Sequence, residues 1–325
     1  MKVNLSAFLQ WRINVYLFRK LDWTSVYLYI GLLVKLYFFV KRSEKWKIIN
    51  ALATVFSDRK NDLEMRSLAE KTFGGILAHY YEKIFNAFSE AETLKAFFHT
   101  HVKSEGMSAL DEGLSRGKGV LLITGHLGAV EYIPTFLGSN NYPVAIVAKF
   151  SSQRLRRESL QKADKYGARI IDAGKTPNVI KAIQTNLKEN RIVIIQCDEI
   201  EEWRPSRKDK IFFLGKRTFL DRTLNVLYKR TTASVVFGFM HRESVQRYKF
   251  VATSMEAMSR QFQRSVDTPL GAVILKFLER YIYLYPEEWY QWKKYAQIKA
   301  VPSGIIADQA SDMLPVLEPS LGHAS

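Results

Sequence analysis

Gly119-Val120-Leu121-Leu122-Ile123-Thr124-Gly125-His126-Leu127-Gly128-Ala129-Val130-Glu131 decides how the rest of the chain is read. A short apolar run, 119–123, enters a glycine, presents a histidine, passes a second glycine and reaches an acid five positions on. Such a run reads as a strand buried on both faces, the kind found in a sheet covered by helices. A short helix is expected from Glu131 to about Phe136. In one continuous helix, residues five apart point about 140° away from each other, because each residue turns about 100°. His126 and Glu131 therefore meet only if His126 sits on the loop between strand and helix, with Gly125 and Gly128 supplying unusual backbone angles. A carboxylate that holds an imidazole fixes its tautomer and stabilises the imidazolium, which makes the ring a general base. A histidine with an acid five residues later is by itself a common accident; the buried strand and the flanking glycines are what give this one meaning.

The surrounding chain supplies partners for that strand. Apolar runs at Val144–Ala148, Ala168–Ile171, Ile192–Ile195 and Ser234–Met240, and an alternating run at Arg247–Thr253, read as further strands. Helical patterns separate them: 177–190, 220–229 and 272–281, with a longer helical region from about Lys45 to Ser115. Within that region Asn61-Asp62 precedes Leu63, Leu68, Phe73, Ile76, Leu77, Tyr80 and Ile84 at helical spacing. The expected fold is α/β, a mixed central sheet flanked by helices. The organisation read from the sequence is a membrane-associated N-terminal segment at 1–44, a main domain at 45–299 and a disordered tail at 300–325, rich in small residues, proline and acids.

Charge narrows the class of partner. The chain of 325 residues carries a formal +16, and since Lys and Arg end at Lys299 while Asp308, Asp312 and Glu318 follow, the first 299 residues carry +19. A body so basic seeks anionic partners: nucleic acid, lipid headgroups or an acidic carrier protein. With no zinc-ligand spacing and no aromatic RNA-binding motif, nucleic acid is not the expected partner. The single Cys197 excludes an intrachain disulfide and reads as a small core residue. Residues 5–22 suit an amphipathic surface segment. Val26–Val40 is nearly all apolar, but it is interrupted by Lys35 and shorter than the roughly 20 residues a bilayer span needs. It reads as a marginal anchor, an in-plane helix with snorkelling lysines, or a buried core helix.

Thr124–Glu131 resembles the histidine-x4-acid signature of membrane acyltransferases, in the Gly-His-x-Gly-x-x-Glu form of the late acyltransferases of lipid A biosynthesis. Ala129-Val130 stands where that family usually has Asn-Trp. Gln196-Cys197-Asp198 resembles part of its Asp-Gln-Asp-x-Gly run, with Glu199-Ile200 replacing the continuation. Phe212–Thr218 resembles its Phe-Phe-Gly segment. Tyr285-Pro286-Glu287-Glu288-Trp289-Tyr290-Gln291-Trp292 is close to its terminal Pro-Glu-x-Trp-x-Trp element, for which the expected role is structural. Where the family has a Tyr-Arg-Pro-like element, this chain has Lys149-Phe150-Ser151. Glu82 matches a family glutamate and, read by itself, belongs to a solvated helix face.

The resemblance implies a glycerophosphate-acyltransferase-like fold with an N-terminal hydrophobic helix that holds the catalytic domain on the cytoplasmic face of the inner membrane. It implies transfer of an acyl group from an acyl-carrier-protein or CoA thioester to a hydroxyl of a glycolipid, a lipid A precursor. No cofactor or metal is expected. His126 and Glu131 are the expected catalytic pair, and Gly125 and Gly128 the structural glycines. Asp198 is expected to orient the site or bind the acceptor; Arg157, Lys216 and Arg217 are expected on the acceptor phosphates, against the plain alternative of solvated charge. Direct displacement is expected, with the oxyanion held by backbone N–H groups after Gly128 or by a nearby base. The rival readings are acylation of another lipid (a lysophospholipid, a phosphoinositide mannoside, an amino-acid lipid) and a non-catalytic basic protein that binds membrane or nucleic acid.

Overall fold

The computed structural model describes residues 5–150, 152–262 and 268–301. Its strands are β1 (Val102–Glu105), β2 (Val120–Thr124), β3 (Val144–Ala148), β4 (Arg169–Asp172), β5 (Ile192–Gln196), β6 (Pro205–Phe213), β7 (Lys216–Asp221), β8 (Ser234–Ser244) and β9 (Arg247–Ser254). Seven of them form one sheet in the order β1-β9-β8-β2-β5-β3-β4. Every pairing in it is parallel except β8 with β9. The apolar run at 119–123 thus lies mid-sheet: all five residues of β2 are buried, as a strand covered by helices on both faces requires. The fold is the mixed α/β one expected, and the apolar strands lie within a few residues of their sequence positions.

Two features were not expected. β1 lies in a stretch read as helical, and its Val-Lys-Ser-Glu, exposed after the half-buried Val102, pairs only at the sheet edge with β9. The segment around Phe212–Thr218 forms an antiparallel hairpin, β6–β7, outside the main sheet.

The register between β2 and β5 positions the site. Thr124 stands opposite Gln196, and the ladder runs on as the Cys197 amide donates to the Thr124 carbonyl at 2.8 Å. Two residues beyond each strand end, His126 and Asp198 emerge side by side at the carboxyl edge of the sheet, where ligands of open α/β sheets bind.

The first hundred or so residues are helical: α1 (Leu5–Leu9), α2 (Arg12–Lys20), α3 (Trp23–Val40), α4 (Arg42–Phe56), α5 (Asp62–Phe88) and α6 (Ala91–His101). Asp22 caps α3 by accepting from the amides of Thr24 and Ser25. Asn61 and Glu64 form a capping box at the start of α5. Among the described residues, α3 is the one helix long and apolar enough to cross a membrane. It buries Val26, Ile30, Leu33, Val34 and Tyr37 and leaves Leu28, Leu32, Leu36, Phe39 and Val40 exposed, so it is not a core helix.

Glu82 on α5 corrects its sequence reading. It is fully buried and accepts two hydrogen bonds from the Arg242 guanidinium, at 2.6 and 2.7 Å. Arg242 in turn donates to the Gly128 carbonyl at 2.8 Å, so this buried pair braces the loop that carries His126. From residue 302 the expected disordered tail lies outside the described residues.

Candidate active site

His126 is buried in the loop between β2 and the short 3-10 turn Val130–Tyr132. Gly128 takes a φ of +62°, and a Cβ there would lie 1.9 Å from the Met240 carbonyl oxygen, so both conformation and space demand glycine. Gly125 differs from expectation: it has no left-handed φ, and it is confined instead by Leu278, 2.7 Å from where its Cβ would stand.

Asp198 holds the histidine. His126 Nδ1 lies 2.8 Å from Asp198 Oδ1, and Oδ2 accepts from the His126 backbone N–H at 2.9 Å and from Trp289 Nε1 at 2.8 Å. A carboxylate accepts only, so Nδ1 is the donor and Nε2 is left facing outward. Trp289, read from sequence as structural, thus also anchors the orienting carboxylate. On the other side, Glu199 Oε1 lies 3.2 Å from Nε2, and its second oxygen lies 3.4 Å from Lys294 Nζ. Burial alone would lower the His126 pKa, but Asp198 and Glu199 outweigh it and raise it to about 9. Glu199 is shifted the opposite way, to about 2: burial would raise it, and His126 and Lys294 pull it down. Both shifts favour a charged His126–Glu199 pair.

The hydrogen bond expected between His126 and Glu131 is not the one Glu131 makes. Its carboxylate lies 2.7 Å from Lys83 Nζ, and the imidazole near it is that of His79, at 3.9 Å. The reason is geometric: the parallel register delivers Asp198 to Nδ1, while the turn at Gly128 carries Glu131 towards α5. Asn86 on the same helix donates to the Glu131 carbonyl at 2.8 Å. Tyr290 fills the space behind, stacked on His79 at 3.7 Å and edge-on to His126 at 4.8 Å. The fully buried His79 is held well below the usual histidine range, by burial first and by the neighbouring Lys83 and Arg242 second.

His126, Glu131 and Glu199 all line one cavity of about 290 Å³. Its cations are Lys83, Lys149 and Lys162; Arg157, Lys216 and Arg217 do not line it. Arg157 is exposed on the helix Gln153–Lys165, and Lys216 donates to the Tyr295 carbonyl while resting 4.1 Å over that ring. Arg217 lies in the β6–β7 hairpin, opposite Phe212. Lys162 reaches in from that same helix, its pKa lowered to about 8 by burial. The amides of Gly128 and Ala129, expected to face an oxyanion, are already donated to the carbonyls of Glu288 and Met240.

A histidine backed by a buried carboxylate, at the carboxyl edge of a parallel sheet and open to a cation-lined cavity, is an arrangement that suits proton transfer to or from a bound group. Against curated proteins the chain finds no match. The family model described as bacterial lipid A biosynthesis acyltransferase matches residues 15–294. The chain belongs to that family, and it is an acyltransferase of lipid A biosynthesis. The family implies an acyl donor and a lipid A precursor as acceptor, and with the apolar α3 it implies association with a membrane.

Proposed function

We propose that the protein transfers a fatty acyl group from a thioester, carried by acyl carrier protein or CoA, directly to a hydroxyl of a lipid A precursor, with His126 Nε2 as the general base. The observation that supports this most is the buried Asp198 on Nδ1, which leaves Nε2 turned to the cavity. Glu199 occupies Nε2 at rest; the acceptor hydroxyl takes its place, and the carboxylate remains within reach of Lys294. His126 first loses its resting Nε2 proton to solvent; as the hydroxyl oxygen then attacks the thioester carbonyl, its proton passes to the neutral Nε2 and Asp198 stabilises the imidazolium that forms. The tetrahedral oxyanion is met by cations of the cavity wall, Lys83 and Lys162. Collapse breaks the C–S bond and the thiolate leaves with the proton held by His126. Glu131, fixed by Lys83, positions the acceptor from the opposite wall rather than orienting the ring. The basic body suits an acidic carrier protein and a phosphorylated acceptor, and we place the site on the cytoplasmic face of the inner membrane, where thioester donors are made.

The test is transfer to the purified acceptor, read by mass spectrometry of the product beside thiol release. His126→Ala is expected to abolish both while membrane binding persists; substantial residual transfer would sink the assignment. Thiol release that proceeds with product on a lysophospholipid but none on the lipid A precursor would favour the alternative acceptor.

A further inference from the structure

Between α3, α4 and α5 runs a second hollow, of about 790 Å³, within the range of ligand sites. It shares no lining residue with the catalytic cavity. Both use α5, but Gly74 lines one and Lys83 the other. Nine residues at about 100° each put those two positions on opposite sides of the helix. The groove is thus a separate place from the cavity that His126 lines.

Its walls and rim have different chemistry. Phe38 and Phe73, edge to face at 5.1 Å, make the walls with Leu77. At the rim stand Lys35, Arg42 and Lys45, all exposed, against a single lining acid, Glu70. Among the described residues none of the three cations is in an ion pair; Arg42 and Lys45 rest over the rings of Phe39 and Phe73, at 5.4 and 5.9 Å. Gly74 is the second sign of an occupant. A glycine inside a helix costs about 1 kcal/mol against alanine, and its neighbour Gly75 has a reason, since a Cβ there would lie 1.9 Å from the Glu287 carbonyl oxygen. A Cβ on Gly74 would meet nothing within 4 Å. The missing side chain keeps the groove open and serves no packing inside the protein.

We infer that this groove binds an anionic glycerophospholipid of the surrounding bilayer, an acyl chain between α3 and α5 and the phosphate on Lys35, Arg42 and Lys45. The bilayer is the source because the exposed Leu28, Leu32, Leu36 and Phe39 belong to the same helix, α3, and carry it into hydrocarbon. The inference stands apart from the catalytic reading.

The experiment titrates the full-length protein, in nonionic detergent, with dioctanoyl phosphatidylglycerol and with dioctanoyl phosphatidylcholine. The readout is the fluorescence of Trp46, which lines the groove, with Trp46→Phe as the blank. Saturable binding at least tenfold tighter for phosphatidylglycerol is expected. Gly74→Leu, at an open helix position that tolerates a side chain, is expected to weaken it tenfold or more. Lys35→Gln with Lys45→Gln is expected to erase the preference for the anionic lipid, and His126→Ala to change nothing. Wild-type binding by Gly74→Leu overturns the site, and equal affinity for the two lipids overturns its charge selectivity. Displacement of phosphatidylglycerol by the lipid A precursor overturns its separateness from the catalytic cavity.

Discussion

Asp198 accepts three hydrogen bonds, two from His126 and one from Trp289, and that makes its removal informative. Asp198→Asn keeps the volume but puts an amide against Nδ1, which favours the wrong tautomer. Turnover is expected to fall about 10²–10⁴-fold with little change in KM, measured by initial rates of transfer. Glu199 acts on the other nitrogen. With the His126 pKa raised to about 9 from the ordinary histidine value of 6.5, neutral pH favours the protonated ring in the free site. kcat/KM is therefore expected to rise with pH towards about 9, and Glu199→Gln is expected to move that limb down by about one unit. Stability follows the opposite trend. The raised pKa stabilises the fold fully below 6.5 and the benefit is lost as pH climbs through about 9, so thermal unfolding between those values should fall more steeply in wild type than in Glu199→Gln. His126, Glu131 and Asp198 could be picked out in the chain by their neighbours; Glu199, which touches Nε2, could not. Nor could the acid that holds Nδ1 be read, because spacing along the chain favoured Glu131 whereas strand register, a non-local property, selected Asp198.

Elements differ in how openly they declare themselves. β2, β3 and β5 are short apolar runs between turn residues, and burial on both faces leaves them no alternative pattern. β1 is exposed and polar, and β6–β7 is a charged hairpin outside the main sheet, so neither shows the hydrophobic period that would reveal it. The cations of the cavity were hidden for a related reason: Lys83 and Lys162 belong to helices whose polar residues all resemble solvated ones until the packing is known. Two glycines give a paired test at this scale. Gly128→Ala forces a methyl onto the Met240 carbonyl at positive φ and is expected to cost about 2–4 kcal/mol in urea unfolding. Gly74→Ala, on an open helix surface, is expected to gain about 0.5–1 kcal/mol in the same assay. The Glu82–Arg242 brace is a third element-level device: Glu82→Ala leaves a buried guanidinium without its carboxylate and is expected to cost about 3–5 kcal/mol.

For the whole molecule the question is how a body of formal charge +16 sits against a membrane. The exposed apolar residues gather in α2 and α3, where Trp11, Ile13 and Tyr16 precede the Leu28–Leu32–Leu36 stripe. Held by charge alone, the protein would leave membranes in about 1 M salt, where the screening length falls to roughly 3 Å. With this apolar face engaged, sedimentation after a salt wash is expected to leave most of it bound until detergent is added. Trp289 carries a different consequence for the molecule as a whole. The indole that steadies Asp198, like the Tyr290 ring beside His126, comes from the last tenth or so of the matched region, long after both strands that set the register have been made. A chain lacking that segment keeps His126, Asp198 and Glu199 but loses Trp289, Tyr290 and Lys294, which anchor Asp198, flank the imidazole and pair with Glu199. The centre is therefore complete only once the chain has been made through Lys294.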